Sequence, residues 1–535
     1  MRYYLSKCVP VLALAGTVLG TASCTDLTET VFTEITDANF SPTAADLVAL
    51  VGPVYTPQRS LWMSWYGMVD HQSETADDLI SPVRPNGWYD GGTYIRLHEH
   101  RWDANQGQPA GIWTQSYNGI NAANRVIYQI ESGVIPLDAA TTTRTIAELR
   151  GMRAWYYRLL LDNFGRVPIV TDFTDTELPQ QATRQQVYDF VVSELNAVIP
   201  DLPEESDGIM YGRLNRWAAK ATLGRAYLNA EVYTGTPRWE EVIAEMDDII
   251  DSGQFALEDD YRAPFARNNN TSDEILFHVP YSQQYGGSNF HMKTLKADLR
   301  FVLQINAQPW GGISSAPQFI DSYDFDDGRL ADSWLRGAVY DDQGRGYTFV
   351  KHVNSIQESG CYCAGFPVWK YEVYPGITGA SDVDYPAIRY AEVLMMKAEA
   401  LMRLGQPGAG ALVTQVRQRN FTGAAAGEAT VTDAELLGGS NFNYGWYDTD
   451  GVVKDGPGGA QVIGGGDDIM YGRFLDELGW EFVAEGHRRV QLIRFGVYTT
   501  KTWFNHEPNG DYRTMFAIPQ SRLNTNSNLT QNPGY

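Results

Sequence analysis

At 535 residues, with 43 % hydrophobic and 20 % charged side chains, the chain can bury a sizeable core and has the make-up of a soluble globular protein. Its 65 acidic residues outnumber 41 basic ones, a formal charge of −24. That balance excludes nucleic acid, whose phosphates need clustered Lys and Arg, and electrostatic docking on an anionic membrane.

The chain opens with Arg2 and Lys7 around the start of an apolar run, Val9–Gly20, too short to span a bilayer. Thr21, Ala22, Ser23 and Cys24 follow. This is the layout of a bacterial lipoprotein signal: residues 1–23 are removed and Cys24 carries the lipid, palmitate included. Thr21 stands where such signals usually carry Leu, and ordinary secretory cleavage after Ser23 is the alternative. No later stretch reaches the ~18 apolar residues of a membrane helix, so the expected membrane contact is through the lipid alone. Cys8 leaves with the signal. Cys361 and Cys363 lack companions at zinc spacing; a tight local disulfide is allowed in an oxidising compartment, though its geometry is demanding.

After an extended polar stretch from Thr25, helical periodicity appears in pairs. Gly111–Ile130 is followed by Ile146–Asn163, which Gly165 stops and Pro168 keeps from resuming. Helices are predicted at Arg184–Val198, Leu214–Val232 and Trp239–Asp251, then at Tyr390–Leu404, Ala409–Gln418 and Ile469–Glu485. Two pairs resemble tetratricopeptide units: Trp217–Tyr227 with the helix from Trp239, and Ala398–Gly405 with the helix bearing Ala411 and Val416. Small residues at fixed offsets let paired helices approach closely. Between the pairs, about 255–385, the chain is rich in Gly, Asn and Asp and reads as loops with short strands. No low-complexity linker divides it. The expectation is a mainly α protein, with tetratricopeptide-like helix pairs forming a superhelical body and an irregular, loop-rich lobe inserted in one unit, 24–535.

Catalytic signatures are weak. Glu477, Glu481 and Glu485 fall at i, i+4 and i+8, a tempting acid/base set on one helical face for a glycoside hydrolase. Arg473, Arg488 and Arg489 flank them, however, and guanidinium groups hold carboxylates ionised, whereas a general acid needs a raised pKa. His98-Glu99-His100 would place two imidazoles on one strand face, but a third metal ligand is not identifiable.

Binding chemistry is better marked. Sugar C–H faces stack on aromatic rings, while hydroxyl edges seek Asp, Asn, Gln or Arg. Asp77–Trp102 supplies Asp78, Arg84, Asn86, Trp88, Tyr89, Asp90 and Tyr94, with Pro82, Pro85, Gly87, Gly91 and Gly92 arguing for a stiff loop. Tyr281–Trp310 supplies Tyr285, Asn289, Asn306 and Trp310. Trp446 and Tyr447 form a weaker third group. Trp155, Tyr156, Trp217 and Tyr227 lie on helical faces and belong to the core.

Several ordered segments resemble the SusD/RagB family. They are Gly151–Tyr157 with Asn163-Phe164-Gly165-Arg166-Val167-Pro168, Arg389–Ala400, Glu481–Arg489 with Leu492–Gly496, Ile518-Pro519, and the terminal Gln531–Tyr535. Gln491 and Gly479-Trp480 depart from the usual letters. The resemblance implies a non-enzymatic, lipid-anchored outer-membrane protein facing the cell surface. It would capture a glycan, or in some relatives a peptide or other nutrient, for a TonB-dependent transporter of the SusC type. It also implies a glycan platform of aromatics from an early loop and the middle lobe, matching Trp88, Tyr89, Arg84, Asp78, Tyr285, Asn289 and Trp310 by region. No cofactor is called for, and Ca²⁺ stays open.

Overall fold

The computed structural model describes residues 43–85, 88–447, 453–454 and 465–535. The leader, Cys24, Asn86 and Gly87 lie outside them.

Helix α1 (Ala44–Trp62) starts at a capping box, Thr43 with Asp46, and buries Val51, Val54, Leu61 and Trp62. The sequence reading missed it, because Pro53 and Pro57 stand inside the helix and an interior proline removes a hydrogen bond. Tertiary packing overrides that penalty: α1 lies along α4. Short helices α2 (Met68–Glu74) and α3 (Thr93–His98) follow, separated by strand β1 (Leu79–Ile80). α3 corrects the expectation of an unbroken loop over 77–102, and Tyr94 is buried within it.

The body is a run of packed helices. α4 (Gly107–Glu131) packs on α5 (Ala139–Phe164), α5 on α6 (Arg184–Val198) and α6 on α7 (Arg216–Leu228). After α8 (Ala230–Thr234), α9 (Trp239–Asp251) packs on α7 and on α14 (Tyr390–Arg403), and α14 on α15 (Ala409–Arg417). Asp138 caps α5, and Gly165 at φ 69° ends it. In the predicted unit at 217–227, a Cβ on Gly224 would fall 2.4 Å from Met246 of α9, so glycine is what lets these helices approach. Trp155, Tyr156, Trp217 and Tyr227 are core. The helix predicted over 214–232 is two, broken at Asn229.

The lobe leaves after α9 and returns through β6 (Tyr385–Arg389), which runs straight into α14. β6 pairs antiparallel with β2 (Ile275–Val279), all ten residues buried. Within the lobe lie α10 (Phe290–Thr294), α11 (Leu299–Val302), β3 (Ser314–Ser315), α12 (Pro317–Ser322), α13 (Gly328–Ser333), β4 (Gly337–Tyr340) and β5 (Gly346–Phe349). β3 pairs with β1, tying lobe to body, and β4 pairs with β5. Beyond α15 come α16 (Asp433–Leu436), the β7 (Trp446–Tyr447) and β8 (Val453–Lys454) pair, α17 (Gly472–Phe482), α18 (Arg488–Arg494) and α19 (Gln520–Thr525). No helix among the described residues is long and apolar enough to cross a membrane.

A buried ion network fastens lobe to body. Arg389 binds Glu274 and Glu481 at 2.8 Å each and Glu485 at 2.7 Å. Arg329 of α13 binds Glu477 at 2.7 Å, and Arg419 reaches both Glu274 and Glu481. α17 ends at Phe482 and Ala484 turns left-handed at φ 59°. Glu485 therefore does not share the helical face of Glu477 and Glu481, a correction to the sequence reading.

Candidate functional site

The turn that leaves α1 carries Trp65 and Tyr66, both partly buried, with Tyr66 at φ 64°. The lobe holds this turn in place. The Tyr281 hydroxyl accepts from the Met63 N–H at 3.1 Å, the Asn289 N–H donates to the Met63 carbonyl at 3.2 Å, and Lys293 donates to the Ser64 carbonyl at 2.8 Å. Lys293 is also ion-paired with Asp70 of α2, both fully buried.

Trp65 gathers two sequence-predicted residues around it. Its ring centroid lies 5.9 Å from Trp88 and 5.2 Å from Trp310, at interplanar angles of 59° and 76°. Trp88 in turn stacks on buried Tyr94 at 6.1 Å and 26°, and its Nε1–H donates to Ser81 Oγ at 3.0 Å. Trp310 is anchored through its N–H to the Met292 carbonyl at 2.6 Å. All three indoles are partly exposed, so they form a faceted aromatic surface rather than a core plug. Gly312 makes it possible: a Cβ there would stand 2.1 Å from the Trp88 ring.

Asp78 and Arg84 require correction as ligand contacts, because both are buried. Arg84 donates to the carbonyls of Gly312 (2.8 Å) and Ala364 (2.6 Å) and to Ser314 Oγ (2.8 Å). It thus braces the strand behind Trp310 and Trp88. Asp78 accepts from Ser73 Oγ at 3.0 Å, and burial, then the neighbouring Asp77, pushes its carboxyl up to about 7. Tyr89 is 52 % exposed beside the platform turn. Asn289 is partly buried and serves the Met63 turn through its backbone. Tyr285, 73 % exposed, stands on the Ser282–Gly286 bridge held by Arg59 and makes no ring contact among the described residues. Asn306 donates to the Gly376 carbonyl at 3.2 Å. Trp446, also partly buried, lies in β7, opposite Lys454. Trp65 and Tyr66 were missed, although three aromatics within Trp62–Tyr66, followed by Gly67, were a readable signal.

Beside the platform, Cys361 and Cys363 are disulfide-bonded. The loop between them sets Tyr362 against Gly311, where a Cβ would fall 2.3 Å from its hydroxyl oxygen, and that oxygen accepts from the Ala297 N–H at 2.8 Å.

The metal reading of His98 and His100 fails on geometry. His98 ends α3 and His100 follows at φ 49°, so they share no strand. Their Nε2 atoms face the carbonyls of Phe504 (2.5 Å) and Thr75 (2.8 Å). Burial pushes them down to about 4 and about 3, keeping both imidazoles neutral. Elsewhere, Asp324, Asp326 and Glu428 converge at the surface, with nothing beyond their own charge to select a cation.

Burial alone would raise Glu477 and Glu481, but guanidinium groups win. Arg329, Arg473 and Arg417 hold Glu477 at about 2, and Arg419, Arg389 and Arg329 do the same for Glu481. Neither can give up a proton as a general acid near neutrality.

Fold and platform together make a helical-repeat protein whose inserted lobe completes an aromatic surface. A sequence model described as the SusD family matches residues 353–535, and one described as starch-binding associating with outer membrane matches 71–228. The chain is similar to the starch-binding protein SusD of Bacteroides thetaiotaomicron, 25 % identical over 84 % of this chain and 82 % of that one. It is also similar to a SusD-like protein of Bacteroides ovatus, 26 % identical over 75 % and 73 %. Among solved structures, a SusD superfamily protein from Parabacteroides distasonis superposes with a TM-score of 0.69 at 19 % identity, covering 92 % of this chain and all of that one. Surface glycan-binding protein A from Bacteroides thetaiotaomicron, solved in complex with laminarihexaose, gives 0.68 at 19 % identity over 91 % and 99 %. The chain thus resembles the SusD family in sequence over 71–228 and 353–535, and it shares the fold of these solved structures.

Proposed function

We propose that the protein captures a glycan at the cell surface by stacking sugar rings on Trp65, Trp88 and Trp310, and passes it to a SusC-like TonB-dependent outer-membrane transporter. The observation that carries this reading is the three-indole surface itself. Its rings are partly exposed, set at different angles and held from behind by buried hydrogen bonds and an ion pair. Such a surface offers apolar faces to successive sugars at little conformational cost. Two relatives support the ligand class: one is named for starch binding, and one was solved with laminarihexaose. An outer-membrane address agrees with the matched model's description, and acylation at Cys24 would supply the tether.

Titration of a panel of oligosaccharides onto wild type and Trp88→Ala tests it. Trp88→Ala weakens binding of whichever glycan wild type takes by about 1–3 kcal/mol. Because its ring is partly buried, a modest melting shift accompanies the loss. Unchanged affinity in Trp88→Ala overturns the platform assignment.

A further inference from the structure

A second cleft, about 570 Å³, opens between α4, the segment 168–180 and the C-terminal residues 522–529. Its walls are fixed. Tyr117 donates to the Pro168 carbonyl at 2.7 Å, and buried Asn124 donates to that of Val170 at 2.9 Å. Asn526 and Asn528 donate to the carbonyls of Pro179 (3.0 Å) and Leu178 (2.7 Å). Backbone on both sides of the cleft is thus tied down by side-chain hydrogen bonds.

The lining mixes two chemistries. Trp113, Tyr117, Pro168 and Leu529 give an apolar floor, whereas Asn118 and Asn121 add exposed amides with no side-chain hydrogen bond among the described residues. Of the charged lining groups, three are carboxylates, Asp172, Asp175 and Glu177, and one is a guanidinium, Arg522, which donates to Thr114 at 2.8 Å. Apolar floor with amide and carboxylate rim suits C–H faces and hydroxyl edges, and it repels uronate or sulfate.

The cleft is also aligned with the platform. Gly107, Gly111, Thr114, Asn118 and Asn121 lie three or four residues apart, on one face of α4. Tyr66, next to Trp65, packs at the head of that face, its ring 3.0 Å from where a Gly107 Cβ would be. From Gly107 to Asn121 the helix rises ~21 Å. Two turns further on, Tyr128 pairs with Phe173 at 5.9 Å, 42 % and 46 % exposed, offering another aromatic face.

We propose that this cleft is a second binding site, for a neutral segment of the same glycan chain that the platform holds. The inference rests on the glycan reading above, but it assigns residues that the platform does not use.

The test is an array of neutral and acidic plant, algal and host oligosaccharides of increasing length, titrated against wild type, Asn121→Trp and Trp88→Ala. Asn121 is exposed, so the tryptophan blocks the cleft without disturbing the core; Asn118→Ala with Asn121→Ala removes the amides should Asn121→Trp melt early. The expected result is that Asn121→Trp leaves the shortest ligands unaffected and weakens the longest neutral ones about tenfold, while Trp88→Ala weakens all. Asn121→Trp and the double alanine variant matching wild type at every length overturns the cleft and leaves the platform standing. Binding that survives Trp88→Ala but not Asn121→Trp supports the cleft and removes the platform. Equal affinity for acidic chains overturns the neutral assignment, and a wild type that binds no glycan overturns both sites.

Discussion

Asp78 shows how a residue can lie close to a site and act through the scaffold. Its carboxyl is buried and raised to about 7 from an ordinary 3.8, first by burial and then by Asp77. A raised acid contributes stability that is complete below 3.8 and lost as pH climbs through 7. Asp78→Asn keeps the shape and removes the titration. It should therefore gain on wild type as pH rises from ~4 to ~7, by at most ~1.4 kcal/mol per unit. Parallel denaturant titrations at several pH values measure this, and a constant difference between the two proteins would contradict it. Ligand affinity should change little, since Asp78 does not reach the surface.

At the scale of elements, the joint between lobe and body rests on Arg389, which links β6 to Glu274, Glu481 and Glu485. Arg389→Met takes one guanidinium from three buried carboxylates, leaving Glu274 and Glu481 to Arg419 and Glu485 to Lys370. Breaking a buried pair costs about 3–5 kcal/mol, even where an ion pair adds little net stability over apolar packing. Loss of less than ~1 kcal/mol in denaturant unfolding would show that water already reaches the network. Both α6 and α9 were legible to the residue, because Thr183 with Gln186 caps one and a strong apolar stripe marks the other. α1 was not, since Pro53 and Pro57 are locally unfavourable and only packing on α4 rescues them. Loop composition singled out Trp88 and Trp310 as candidates, but not Trp65, which the fold sets against both. What brings Trp65 to the platform is contact across more than 240 positions of sequence, which no local pattern contains. For the same reason Arg84 looked like a ligand contact: its partners Gly312 and Ala364 are distant in sequence, so its burial was hidden.

For the whole molecule, the proposed place beside a transporter calls for a tether, since no described helix is long and apolar enough to cross a membrane. Acylation at Cys24 is the proposed one. Several acyl chains hold a protein on a membrane far more firmly than one, so Cys24→Ala should move from the membrane fraction to the soluble fraction. Equal partitioning of the two proteins would contradict the anchor. The helical run, the inserted lobe and the Arg389 network have one common consequence: they bring Trp88 from an early loop and Trp310 from the lobe against Trp65 at the end of α1. The most direct test of this account is a crystal structure of the protein with an oligosaccharide it binds. The account predicts sugar rings stacked on Trp65, Trp88 and Trp310; sugar held elsewhere, with those three indoles untouched, would contradict it.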